Sequence, residues 1–135
     1  MPQKKWAVVL VACLAFAAGS RDQTPDEYKP LEKMTVKLFE AYNKDDAKGV
    51  LADYVSAFKS LDADQLYKSL FKDRYKTKLG NFKSLTFQKE GSVYTDEVVL
   101  ARFDGVFANK KAQIIVNFTK EDGKFKFQQV TIMDE

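Results

Sequence analysis

Apolar residues in the first half of the chain recur at steps of three and four, the period of a helix that buries one stripe. Leu31, Met34, Leu38 and Tyr42 make the first stripe, and Phe39 widens it. Two starts fit it. Thr24-Pro25-Asp26-Glu27 has the form of a capping box, with Thr24 as N-cap, Pro25 at the first helical position and Glu27 three residues on. Pro30 then either bends that helix or opens it, because an interior proline loses a hydrogen bond and clashes with the preceding turn. Asn43-Lys44-Asp45-Asp46 breaks the pattern and offers Asp45 as the next N-cap, ahead of a second stripe of Val50, Leu51, Tyr54, Val55 and Phe58. Gly49 weakens this second helix by about 1 kcal/mol relative to Ala. Asp62-Ala63-Asp64-Gln65 is another capping form, and Leu66, Leu70, Phe71 and Tyr75 continue a third stripe until Gly80 can end it.

From Asn81 onward the period shortens to two. Phe82, Leu85 and Phe87 lie in a β-prone stretch ending at Glu90-Gly91, and the run from Val93 to Ala108 is rich in Val, Phe and Leu. Asp104-Gly105 interrupts that run. A long strand with a bulge there is preferred to a hairpin, since Asn109-Lys110-Lys111 makes the better surface turn and leaves arms of comparable length. Ala112, Ile114, Val116 and Phe118 alternate with Gln113, Ile115, Asn117 and Thr119, as in a strand with one buried face. Glu121-Asp122-Gly123 supplies the next turn. In the last strand Phe125 and Phe127 fall in one phase and Val130 and Ile132 in the other, so a second bulge is implied at Gln128-Gln129. The expected fold class is α+β: three N-terminal helices packed on a curved four-stranded antiparallel sheet.

A different pattern precedes the fold. Lys4 and Lys5 are followed by an apolar run from Trp6 to Ala18, and the chain turns polar from Gly19. That is the order of a secretory signal peptide, and the run is shorter than the roughly 20 residues a membrane-crossing helix needs. Ala15 and Ala17 have the spacing a signal peptidase reads, with cleavage after Ala17, or after Gly19 as the lesser choice. Leu10-Val11-Ala12-Cys13 also has the form of a lipobox, in which Cys13 would carry a lipid; the apolar Leu14-Ala15-Phe16-Ala17 that follows argues against it. The expected divisions are a signal peptide at 1–17, a linker at 18–29 and an α+β roll at 30–133. The expected location is periplasmic or extracellular, with a lipid anchor to the envelope as the alternative.

Composition narrows the chemistry. With 135 residues, 45% apolar and 30% charged, the chain suits one globular domain. Removal of Lys4 and Lys5 with the leader leaves 20 basic against 19 acidic residues, close to neutral, and also removes the one Cys, so no disulfide can form. There is no His. Catalytic groupings built on imidazole and zinc sites with His ligands are therefore excluded. No metal-ligand spacing, Gly-rich phosphate loop or nucleophile elbow occurs, so neither metal nor cofactor is expected.

Leu38-Phe39-Glu40-Ala41-Tyr42-Asn43-Lys44-Asp45-Asp46, Leu79-Gly80-Asn81-Phe82-Lys83-Ser84-Leu85 and Asp122-Gly123-Lys124-Phe125-Lys126-Phe127-Gln128-Gln129-Val130 are short phrases in a telling order. Together they resemble the nuclear-transport-factor-2-like superfamily, the cystatin-like α+β roll, and in particular its small secreted bacterial domains of unknown function. The resemblance runs from about Pro30 to Met133. It implies a cone-shaped pocket between helices and sheet, used by relatives for small apolar ligands, for isomerase or dehydratase chemistry, or for gripping another protein. Tyr54, Phe58, Phe103, Phe107, Ile114, Val116 and Gln129 are the expected lining, against the plainer reading of an ordinary core. With His absent, enzyme chemistry would need a carboxylate and a Tyr hydroxyl on one ligand. Asp96, Glu97 and Asp104 are the acids of the strand region, with Tyr94 near them.

Lys68, Lys72, Arg74, Lys76, Lys78 and Lys83 form a local basic cluster with Phe71 and Tyr75 among them. It reads either as an anion-binding patch or as a solvated helix end favoured by the helix dipole. The expected function is a non-catalytic envelope or secreted binding module for a small apolar ligand or an envelope protein. Two copies could pair through the outer sheet face around Ile115 and Val130. An isomerase or lyase and an accessory domain for anionic envelope polymers are the alternatives. Nucleic acid is not expected as a partner, and membrane contact is expected only through an uncleaved or lipidated N-terminus.

Overall fold

Strict alternation in the second half folds as the residues dictate. In the computed structural model, which describes residues 24–134, four strands form an antiparallel meander: β1 Phe82–Tyr94, β2 Val98–Phe107, β3 Lys111–Glu121 and β4 Lys124–Asp134. The expected signal peptide, its cleavage site and Cys13 lie outside the described residues. In β3, Ala112, Ile114, Val116 and Phe118 are inaccessible, while Gln113, Ile115, Asn117 and Thr119 between them are half-exposed. The buried face is the inner face of a curved, unclosed sheet, and the helices cover it.

The bulges carry the curvature, and only one of them stands where expected. Phe118 pairs with Phe127 but Asn117 pairs with Gln129, which leaves Gln128 as the extra residue of β4. This brings Phe127, Val130 and Ile132 onto the same buried face. Val130 is therefore core, and the expected outer patch of Ile115 with Val130 does not form. No irregularity falls at Asp104-Gly105, which stay in register with Thr86 and Leu85 on one side and Gln113 and Ala112 on the other. Gly105 is needed for space: a Cβ there would stand 2.7 Å from Ile114 Cδ1. Two irregularities fall in β1 instead, one between Phe82 and Ser84 and the larger between Gln88 and Val93, where Gly91 has φ +88°. There the Ser92 hydroxyl donates to Gln88 O and accepts from Arg102 N, replacing lost ladder bonds. The first strand thus runs past Glu90-Gly91, and the hairpin turns at Thr95–Glu97, closed by Thr95 N and Oγ1 donating to Val98 O. Asp122 at φ 53° and Gly123 at φ 78° make the expected last turn.

The helices begin before residue 30. A 3-10 turn at Asp26–Tyr28 leads into α1, Lys29–Asn43, with Pro30 in its first turn where the missing N–H costs nothing. Thr24 caps no amide; its hydroxyl donates to Glu32 Oε1 instead. Tyr28 is buried with its ring 4.5 Å from that of Phe87, so the fold already includes the last residues of the expected linker. Leu31, Leu38, Phe39 and Tyr42 of α1 are buried as expected.

The second helix is much shorter than its stripe. It spans Ala47–Leu51 (α2), capped by Asp46 rather than Asp45, whose own φ is 54°. Tyr54 and Val55 are buried in extended backbone: Phe127 N donates to Asp53 O, and Val55 N donates to Phe127 O. Those bonds satisfy the free edge of β4, a gain that a continuing helix could not supply. A 3-10 turn follows at Ser56–Ser60, its first amide and hydroxyl donating to the Glu121 carboxylate. The third rod starts as expected at Asp62, which accepts from the amides of Asp64 and Gln65. It runs as α3, Ala63–Tyr67, then a π-helical stretch Lys68–Lys76, then α4, Thr77–Leu79, and ends at Gly80.

The Gln128 bulge generates a test of register. Deleting Gln128 leaves Phe127, Val130 and Ile132 alternating in phase, so that variant is expected to fold with a loss of no more than about 2 kcal/mol. Deleting the outward Ile115 drives one end of β3 out of phase and is expected to abolish cooperative thermal unfolding followed by circular dichroism. Equal behaviour of the two deletions contradicts the register described here.

Candidate functional site

Most of the residues expected to line a pocket form the hydrophobic core. Phe103, Ile114 and Val116 are wholly inaccessible, and Tyr54 and Phe107 nearly so. Phe107 sits in an aromatic cluster with Phe39, Phe82 and Tyr42, at ring separations of 5.8, 5.7 and 6.2 Å. Phe39 and Phe82 stack at 4.8 Å across the joint between α1 and β1. Gln129 faces solvent on the outer side of β4. Phe58 lies at the periphery, edge-on to Tyr54 at 5.1 Å, where it lines a surface depression of about 340 Å³ with Lys48, Leu51, Ala52, Lys59, Leu61 and Ala63. Asp96 and Glu97 are exposed in the first hairpin turn. Asp104 is exposed on the outer face and accepts from Gln88 Nε2, and Tyr94 packs edge-on against Tyr28 and Phe125.

The polar chemistry inside the fold gathers at the C-terminal end of α1, a place the stripe pattern did not mark. Tyr67 donates its hydroxyl to Asp45 Oδ1 at 2.7 Å and lies 3.0 Å from Tyr42 O. Lys76 Nζ donates to Tyr42 O at 2.9 Å, Asn43 O at 3.3 Å and Asp45 Oδ1 at 3.0 Å. Tyr42 in turn donates its hydroxyl to Gly80 O. Tyr67 and Lys76 stand nine positions apart. In an α-helix that is about two and a half turns, which puts them on opposite faces. The i→i+5 bonding of the π-helical stretch widens each turn to between four and five residues, so nine positions make about two turns and both side chains reach one carboxylate. The Tyr67 hydroxyl and the Lys76 ammonium hold the Asp45 carboxyl below the usual carboxylate range. Burial, reinforced by the same Asp45, pushes the Tyr67 phenol up, and burial does the same to Tyr42 and Tyr54. An acid and a phenol within one hydrogen bond are thus present, with their hydrogen bonds directed to helix carbonyls and a lysine.

The basic cluster divides. Lys76 is largely buried and committed to α1, and Lys72 is on its side, near enough to Asp45 to help lower that carboxyl. Arg74 and Lys78 face the other way. With Tyr75, Leu79, Ile132 and Asp134 they line a depression of about 250 Å³ at the junction of the rod and β4. Lys110, from the β2–β3 turn, joins them: Asp134 Oδ2 lies 3.4 Å from Lys110 Nζ and 3.6 Å from Lys78 Nζ. Asn109 holds the turn in place, its side chain donating to Lys78 O and its amide to Leu79 O. Lys68 and Lys83 are exposed. The turn propensity of Asn109-Lys110-Lys111 was legible in the sequence, but its placement against the helix end is a tertiary fact that no local signal carries.

Among the described residues no group of three or more acidic, Cys or His side chains could hold a metal ion, and no helix is long and apolar enough to cross a membrane. No family model, curated protein or solved structure matches the chain.

The Asp45 joint has a definite pH signature. A carboxyl whose folded pKa is depressed stabilises the fold fully above its unfolded value near 4, and the contribution fades as pH falls through the lower folded value. Asp45→Asn is therefore expected to be less stable than wild type by about 1 kcal/mol at neutral pH, because Asp45 is half exposed and solvent screens it. That gap should narrow steadily in urea titrations taken from pH 5 to about pH 2. A gap that widens on acidification contradicts the assigned role.

Proposed function

We propose that this chain is a non-catalytic binding module of the cell envelope or exterior, a nuclear-transport-factor-2-like roll whose interior is closed, so that its partner engages the outside of the domain. The supporting observation is the buried aromatic cluster of Phe39, Tyr42, Phe82 and Phe107, which fills the space between α1 and the sheet. The buried polar side chains among the described residues are Thr24 and Thr35, and neither is a carboxylate. Export rests on the leader pattern at 1–17 and on the resemblance to small secreted domains. An envelope protein or polymer suits a surface site better than a small apolar ligand does. The enzyme reading draws on Asp45 and Tyr67, which have the chemistry of an acid–phenol pair. It is the weaker one, because Lys76 and the carbonyl of Tyr42 already engage both groups.

A filled interior predicts that an amphiphilic cavity dye such as 1-anilinonaphthalene-8-sulfonate shows no saturable fluorescence gain with the native protein. Native mass spectrometry of protein purified from its own cells should give the trimmed polypeptide with no small apolar molecule retained. A stoichiometric dye site lost in Phe107→Trp, or a ligand released only on unfolding, overturns the closed-interior reading and revives the pocket.

A further inference from the structure

The molecule carries its cations unevenly, and the fold creates the unevenness. The end of the third rod packs on the β2–β3 turn through Asn109, with Ala108 N donating to Asn81 O. This contact brings Arg74 and Lys78, from the rod, together with Lys110, from the turn. Lys111 stands in the same end row of the sheet, opposite Val106, and Lys83 lies next to Ser84 on the other side of that residue. Asp134 is the carboxylate that meets them: two ammonium groups converge on its Oδ2 within 3.6 Å, beside the depression that Arg74 also lines. Two cations focused on one carboxylate oxygen, with a guanidinium next to them, is how a protein holds a phosphate or carboxylate group.

We infer that this basic end is a binding site for an anionic polymer, and that the Asp134 carboxylate holds the place of one ligand group until the polymer displaces it. The inference rests on the surface-binding reading above and specifies its ligand class. Displacement is easy, because the Asp134 side chain is 37% exposed and ion pairs exposed to solvent are weak. By the same weakness a single small anion would gain too little to stay bound. A chain bearing an anionic group at every repeat can contact Lys78, Lys110 and Arg74 together and reach Lys83 or Lys111, adding several weak contacts on one tether. Lys68 and Lys72 take no part: neither lines the depression, and Lys72 stands near Asp45 instead.

The test is fluorescence anisotropy with two labelled probes, inorganic polyphosphate and poly-L-glutamate, at low and high salt. The two probes separate a phosphate source from a carboxylate source. Wild type is expected to bind at least one of them and to release it at high salt. Lys78→Ala combined with Lys110→Ala should weaken binding about tenfold, and Arg74→Ala about threefold. Lys68→Ala combined with Lys72→Ala should stay within about twofold, and Asp134→Asn should tighten binding about threefold. Thermal melts confirm that each variant is folded. Absence of binding to both probes overturns the inference, as does equal weakening by the Lys68 and Lys72 pair. Tightening is the outcome that distinguishes a displaceable carboxylate from a structural one, so an Asp134→Asn variant that binds more weakly removes the displacement step. The dye titration judges the closed interior separately, so a silent polymer assay with an empty dye assay rejects this site alone.

Discussion

The C-terminal end of α1 is the constraint on which the architecture depends. A helix ends with carbonyls that have no intrahelical donor, and leaving them buried and unpaired would cost about as much as a whole hydrogen bond each. Here the donors come from far along the chain. The Tyr42 carbonyl receives Lys76, with the Tyr67 hydroxyl 3.0 Å away, and the Asn43 side chain pairs with both backbone groups of Phe82. Tyr42 itself reaches Gly80. One helix end thus fastens the π-helical rod and the first strand to the same point, and the aromatic cluster packs directly beneath it.

That fastening explains why aromatic rings crowd the space between α1 and the sheet. Phe39 and Tyr42 are set at the joint, so their rings must point into the concavity of the sheet, where Phe82 and Phe107 meet them. An open cone at this level would require small residues at these positions or a helix end displaced outward. Displacement would break the Asn43–Phe82 pair and expose the carbonyls that Lys76 covers. The cost of opening is therefore counted in buried hydrogen bonds as well as in aromatic area.

How much of this was legible in the sequence follows from which signals are local. The α1 stripe, the Asp62 cap, the alternation of β3 and the Asp122-Gly123 turn depend on neighbouring residues, and they stand where periodicity and capping place them. Tyr54 and Val55 misled because their apolar spacing fits a helix as well as a strand, and the choice was made by the free edge of β4, about seventy residues downstream. Gly105 misled in the opposite sense: the glycine answers to the Ile114 side chain across the ladder, not to any bulge in its own strand. Of the residues expected around a pocket, Tyr54, Phe103, Phe107, Ile114 and Val116 are core, Phe58 is peripheral and Gln129 faces solvent. Whether inward-facing rings leave a void is a question of packing volume, which no sequence period encodes.

The basic cluster makes the same point for charge. Along the chain, Lys68 to Lys83 looks like a single patch because linear proximity stands in for spatial proximity. In the folded protein the four-residue steps sort it into rows, one facing Asp45 and the other facing β4. The row toward Asp45 becomes part of the scaffold, since Lys76 is largely buried there and its charge is matched by a carboxylate and two helix carbonyls. The row toward β4 meets a turn contributed by another strand pair and gains Lys110, with the half-exposed Asp134 as its partner. A cation matched by buried partners contributes to folding, whereas one matched only by an exposed carboxylate keeps most of its field available to solvent. The separation of structural from available charge is thus a direct consequence of which face of the rod each lysine occupies.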